Sequence, residues 1–383
     1  MITRRTFLGG LAAATAGVPL AANGVSAEDT TAGRPARGAA MSLTLANESG
    51  RGPVWTYVVG TDLATGQQCR LSADGRLVAV SEADNGPDGY TDYAIPVEGG
   101  GTTLSLPQGM SGRVYVAIGD RLKIRCNPGN TLAYPAGWVD SDPNYPVLHD
   151  CAEFTYDGAG MHCNTTMVDM LSVPLAITLS GAAQQTTGRL RDGGRAAVFS
   201  AMSGQAGYGG LVLEDLRVIA PGHGLDAGRF AADYFAAHVD QVWEHYRSNT
   251  MTVTAGANAF TGQVSGDRFV FSGGVRAFAK PSTRDVLFCD GALSAPNDGV
   301  TGPVAAALGA GFNRGVLTDT TEQPLADAGQ YYRDDVTNHY SRIMHENTVD
   351  GDAYGFAFDD VCEHASYIED PAPTSMTVTI TPF

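Results

Sequence analysis

Positive charge is scarce in this chain: Lys and Arg number 24 against 41 Asp and Glu in 383 residues, a formal net charge of -17. No basic cluster interrupts that acidic background, so the long-range field repels phosphate backbones and anionic lipid headgroups and argues against nucleic acid or a membrane surface as a principal partner. Acidity is compatible with a neutral polymer as ligand, although it does not point to one. Beyond the N-terminal stretch there is no run of 18 or more apolar residues, the minimum for a bilayer-spanning helix. Cysteines number six, but their spacings contain neither CxxC nor CxxH, which leaves a dithiol redox centre or a structural zinc site without support. There is no internal repeat and no long flexible linker.

What is present starts with residues 1–27. Arg4 and Arg5 precede a short Gly/Ala-rich stretch and the small residues Val25-Ser26-Ala27, the layout of a twin-arginine export signal with its cleavage site. Removing it takes away two Arg and no acid and leaves 356 residues at -19. Secretion of a soluble monomer is therefore expected. All six cysteines lie beyond the signal, and their even number in an exported chain suggests up to three disulfides, with about 15 pairings open. Cys151 with Cys163 and Cys69 with Cys126 are the working expectation.

Residues 28–40 are small, polar and aperiodic, a disordered lead-in. From Met41 the pattern becomes short runs rich in Val, Tyr, Thr and Ile between Gly, Asn, Asp and Pro, which indicates an antiparallel sandwich or barrel to about residue 192. The period then changes. Phe230, Tyr234, Phe235, Val239, Val242, Trp243 and Tyr246 recur every three or four residues, predicting a helix from Asp226, its N-cap, to Arg247. A second helix is predicted over Asp327 to Glu346, with strands between the two. The chain returns to strands in AYGFAFDD and SMTVTITPF. The expectation is thus a mainly β fold with an α/β insertion: a β-domain from residues 41–192, completed by 350–383, around an inserted mixed α/β domain at 193–349, with a groove at their junction.

Most of the acids are solvated surface. The informative stretch is Cys151-Ala-Glu-Phe-Thr-Tyr-Asp157, where alternation places Glu153, Thr155 and Asp157 on one face and Phe154 and Tyr156 on the other. Gly158-Ala-Gly160 then turns the chain back toward Met161–Asp169, so Glu153 and Asp169 can approach. Paired carboxylates in a wide cleft suit hydrolysis of a glycosidic bond, one giving a proton to the leaving oxygen and the other activating water or attacking carbon. For either acid alone, a surface or loop-bonding role is the plainer alternative.

Larger blocks carry a resemblance. DPN at Asp142–Asn144, Glu153–Thr155, NTTMVDM at Asn164–Met170, SAPND at Ser294–Asp298, GFNR at Gly311–Arg314, VTNHYSRIMH at Val336–His345, AYGFAFDDV at Ala353–Val361 and the terminal TVTITPF are together similar to glycoside hydrolase family 64, the β-1,3-glucanases that release laminaripentaose. The resemblance implies a thaumatin-like β-barrel beside a mixed α/β domain, with Glu153 as general acid and Asp169 as general base of an inverting reaction that needs no cofactor. It implies β-1,3-glucan such as laminarin or curdlan as substrate, with Thr155 and Thr166 contacting sugar. Asp157 and His162 stand where the family has Asn and Trp; His162 offers less stacking surface, so looser product length is expected. Tyr145 is a further candidate for sugar stacking, as is Trp138, whereas Trp243 lies on the helical stripe and is expected in the core. The family partner of Cys289 falls at Gly309, which leaves Cys362 as its substitute. The rival function is a thaumatin-like glucan-binding protein with little or no turnover.

Overall fold

A computed structural model describes residues 40–383; the export signal and all but the last residue of the lead-in lie outside them. The fold is mainly β. A five-stranded sheet runs in the order Gln184–Thr187, Leu175–Ser180, Ser375–Ile380, Met41–Asn47, Thr102–Leu106. The C-terminal strand lies parallel to the first, Leu45 opposite Val378, so the two ends of the described chain close one sheet. Facing it is a larger sheet in the order Tyr367–Asp370, Gly160–Asn164, Leu148–Asp157, Met110–Ile118, Val54–Asp62, Gln68–Leu71, Leu77–Ala79, with Ile95–Pro96 on the Val54–Asp62 strand. Both sheets keep open edges, so among the described residues there is a sandwich and no closed barrel.

Alternation along each strand assigns the cores. Leu43, Leu45, Ile177 and Val378 of the smaller sheet meet Val58, Val114, Val116, Phe154 and Cys163 of the larger one in the space between them. Tyr57, Val59, Tyr115, Ala117 and Cys151 point to the outer face, where residues from 80 to 147 cover them. A separate and larger core draws on residues 167 to 353, around Phe235, Trp243, Phe269, Leu308 and Tyr340. It is built from helices Gly194–Gly204, Ala236–Ser248, Thr301–Arg314 and His339–Asn347 and a second five-stranded sheet that includes Met251–Ala255, Asn258–Ser265 and Arg268–Phe271. Trp243, 3% exposed, sits in that core as its helical spacing indicates.

Several expected elements are different in the structure. Asp226 ends a short helix, Pro221–Asp226, and the long helix starts only at Ala236. Gly228 at φ 70° breaks the chain between them, while Phe230 and Phe235 are buried without being helical. The second helix covers only His339–Asn347, with the Asn338 side chain accepting the Ser341 N–H at 3.2 Å as its N-cap. AYGFAFDD is not a strand: the Asp359 carboxylate accepts the Gly355 N–H at 3.0 Å and draws the segment into a curl.

All six cysteines are unbridged. Cys163 stands opposite Phe154 and therefore shares its face, whereas Cys151, three residues earlier, points to the other face of the same strand. A bridge between them would have to pass through the sheet. Cys69 likewise belongs to the core between the sheets and Cys126 to the outer one.

Cys289 packs against the Thr301–Arg314 helix, and a Cβ placed on Gly309 would lie 3.0 Å from its Sγ and 3.4 Å from its Cβ. An S–S bond of about 2.04 Å sets the far Cβ about 3 Å from each sulfur, so this is close to bonding geometry. G309C should therefore form a disulfide with Cys289 on oxidation and stabilise by up to about 3 kcal/mol on the chain-entropy estimate, after Phe358, 3.1 Å from the new Cβ, gives way slightly. Non-reducing peptide mapping and thermal unfolding check this; free thiols at both positions would contradict it.

Candidate active site

The Leu148–Asp157 strand puts Ala152, Phe154 and Tyr156 into the sandwich core and leaves the alternate residues to the opposite face. Glu153 there stands between Arg113 and Asn164 on the neighbouring strands, and Thr155 between Ser111 and His162. One more strand outward, Tyr367 lies beside Asn164 and Glu369 beside His162. Cross-strand neighbours share a face, so these side chains form one polar stripe running on from the apolar part that Cys151 and Tyr115 bury.

Glu153 is held at that stripe by charge. Arg113 Nε lies 3.0 Å and its NH2 group 2.9 Å from Glu153 Oε1, with only 12% and 10% of the two side chains exposed. The other guanidinium nitrogen donates to Tyr115 Oη at 3.2 Å. Asn164 approaches Glu153 Oε2 at 3.5 Å, which leaves that oxygen the less engaged of the two.

The return strand ends at Asn164, and Asp169 sits in the turn that follows, before Met170–Leu171 pairs with Arg217–Ile219. Two contacts tie it to the Pro221–Asp226 helix: its carbonyl accepts the Ala220 N–H at 2.9 Å, and its Oδ1 lies 2.7 Å from His223 Nε2. Burial opposes its negative charge, but the His223 hydrogen bond and charge together with the charge of Arg113 outweigh burial and hold the Asp169 carboxyl below the usual carboxylate range. Arg113 feels the charges of both Glu153 and Asp169, and it is the group that couples the two acids.

Asp169 opens onto a cavity of about 1470 Å³, whose walls include Trp138, Asp140, His223, Asn258, Arg276, Phe288, Asn297 and Asp360. Glu153, Thr155, Asp157, His162, Thr166 and Tyr145 are outside its lining. Thr155 bonds Ser111 at 2.8 Å. The Asp157 carboxylate accepts the Ala159 N–H at 2.7 Å and so caps its own turn. His162 Nδ1 faces Tyr367 Oη at 2.8 Å and Glu369 Oε2 at 3.0 Å. Thr166 is 8% exposed, and its Oγ1 accepts the Val168 N–H at 3.4 Å. Tyr145, expected as a sugar platform, is partly buried against the larger core with the Arg217 guanidinium over its ring. Arg113 and His223 escaped sequence reasoning because their partners are 40 and 54 residues away; strand pairing in the one case and a short Gly-containing helix in the other bring them in. Among the described residues no group of three or more His, Cys, Asp or Glu could hold a metal ion.

Residues 39–380 match the family model for glycoside hydrolase family 64, beta-1,3-glucanase. The chain belongs to glycoside hydrolase family 64. A glucan endo-1,3-beta-glucosidase of Cellulosimicrobium cellulans is 34% identical over 369 residues, which take in 90% of this family 64 chain and 66% of the relative. One of the same description from Arthrobacter sp. (strain YCWD3) gives the same figures, so the chain spans about 66% of the length of these relatives. A laminaripentaose-producing beta-1,3-glucanase, crystallised with laminaritetraose, is 34% identical with a TM-score of 0.84, over 90% of this chain and 99% of the other. The beta-1,3-glucanase domain from Clostridium beijerinckii is 25% identical with a TM-score of 0.79, over 91% and 100%.

Breaking a buried ion pair from one side leaves an uncompensated charge. R113M, which keeps the length of the stem, should cost about 3 kcal/mol in urea unfolding; a loss below about 1 kcal/mol, the range of exposed pairs, would show that the Arg113–Glu153 pair is not held as described.

Proposed function

We propose that this chain is an exported, endo-acting β-1,3-glucanase that cuts β-1,3-glucan such as laminarin or curdlan into short laminari-oligosaccharides by inversion, with Glu153 as general acid and Asp169 as general base. The observation that carries this reading is a pair of carboxylates within the field of one guanidinium, that of Arg113, with one of the two facing a cavity of about 1470 Å³. Small-molecule pockets occupy roughly 300–1,000 Å³, and a larger one suits a segment of polymer. Family membership and the descriptions of the relatives support the same substrate. The Arg4-Arg5 signal supports twin-arginine export to the medium.

In this mechanism the glucan lies along the cavity with its scissile bond where Asp169 meets the polar stripe. Arg113 holds Glu153 Oε1, and in the protonated form of Glu153 that the reaction requires, the less engaged Oε2 carries the hydrogen, gives it to the departing glycosidic oxygen and is left ionised. Asp169, held ionised, takes a proton from a water, which attacks the anomeric carbon from the face opposite the leaving group. An inverting pair stands about 6.5–9.5 Å apart to leave room for that water. Each proton moves in the transition state, so each acid is needed for rate rather than for binding.

E153Q and D169N should therefore fold and still sediment with curdlan while losing at least about 100-fold in kcat. Retention by either of more than a tenth of the parent kcat would remove that residue from its role. The stereochemistry is a separate expectation. Proton NMR in the first minutes of laminarin hydrolysis should show the α-anomer at the new reducing end, and an initial β-anomer would require a covalent intermediate.

A further inference from the structure

We infer that His223 is the positioning residue of the Asp169 base, its ring clamped between aromatic groups so that Nε2 donates to Asp169 Oδ1 and reserves Oδ2 for the nucleophilic water. This rests on Asp169 being the base. The imidazole lies against the Trp138 ring at 4.2 Å between centroids and 22° between planes, and meets Phe288 edge-on at 5.4 Å and 78°. Phe288 comes that close because position 222 is glycine: a Cβ there would lie 2.8 Å from its ring. The two side chains of the His223–Asp169 contact are only 11% and 14% exposed, and Trp138, Asp169, His223 and Phe288 all line the cavity.

The chemistry fixes the direction of the bond. An ionised carboxylate only accepts, and Asp169 is held ionised, so the hydrogen sits on Nε2. With the Ala220 N–H on the Asp169 carbonyl, the short helix grips the residue at backbone and side chain together, and the ring clamp takes away the freedom to swing out of line. A carboxylate engaged at one oxygen on a fixed axis presents the other in one direction, which shortens the search for a reactive geometry. The remaining ionisable groups coupled to Asp169 are Arg113 and Cys151 on adjacent strands of the large sheet and Tyr340 on the His339–Asn347 helix.

The sign of the pH effect follows. With its donor, Asp169 stays ionised as pH falls until its depressed pKa is passed; without it, the base form is lost at higher pH. H223L should lower kcat roughly tenfold or more while KM changes less than about threefold, and should move the acid limb of kcat upward by about one pH unit. H223Q, which restores an N–H donor at similar reach, should recover much of the rate and return the limb toward its original position. Equal impairment of H223L and H223Q, or an unmoved acid limb in a folded H223L, would overturn the inference. If H223L does not fold, long-range proton–nitrogen NMR of the unmutated protein decides: the hydrogen on Nε2 of His223 supports the inference and a hydrogen on Nδ1 alone overturns it. D169N separates the two levels. A dead D169N beside an unaffected H223L refutes only the role of His223, whereas an active D169N refutes the base assignment and this inference with it.

Discussion

Two negative charges brought into one partly dry region repel each other, and each loses hydration that only a positive charge or a donor can replace. The site is organised around that constraint. Arg113 is bonded to Glu153 and lies within the field of Asp169, and His223 supplies a donor to Asp169 from another part of the chain. Removing either partner would leave a carboxylate without its counter-charge or donor. The sheet register that places Glu153 opposite Arg113 and the glycine that admits Phe288 behind His223 serve one electrostatic arrangement.

One wall of the cavity depends on a second buried charge. Asp359, fully buried, is reached by Arg314 at 3.3 Å, His345 at 3.0 Å and Ser341 at 2.6 Å. Burial opposes its charge, yet His345, Arg314 and Ser341 hold its carboxyl below the usual range. Such a network contributes little net stability over an apolar core. What it fixes is the path of residues 355 to 362, of which Gly355, Ala357, Phe358, Asp360, Val361 and Cys362 face the cavity. A chain that reads as a strand from AYGFAFDD is curled by this one carboxylate, and the curl makes it a wall.

Legibility in the sequence followed the range of the interactions. The hairpin that turns at Gly158–Gly160 and sets Glu153, Thr155 and Asp157 on one face is a local, period-two feature, and the register agrees with it. Trp243 in the core followed from helical spacing. The Thr301–Arg314 helix did not show itself, because it is Gly- and Ala-rich and buried on nearly all sides, so no polar stripe marks its period. The predicted Asp226–Arg247 helix was too long because buried aromatics in a non-helical segment matched its spacing. The Cys151–Cys163 pairing took sequence distance for spatial distance; the two are close along the hairpin but on opposite faces. Arg113 and His223 carry no local signal, since their roles arise from pairing with segments far away in the chain. The names of the acids came from family blocks; their counter-charges came only from the fold.

The central claim is that Glu153 and Asp169 act on the same sugar linkage from opposite sides, with Arg113 and His223 holding them there. A crystal structure of the E153Q variant with a β-1,3-linked oligosaccharide spanning the cleavage point tests it most directly. The amide introduced at position 153 should lie within about 2.6–3.2 Å of the scissile oxygen, with a water between Asp169 Oδ2 and the anomeric carbon. An oligosaccharide bound along the cavity with its linkage out of reach of that amide, or with no space for water beside Asp169, would contradict it.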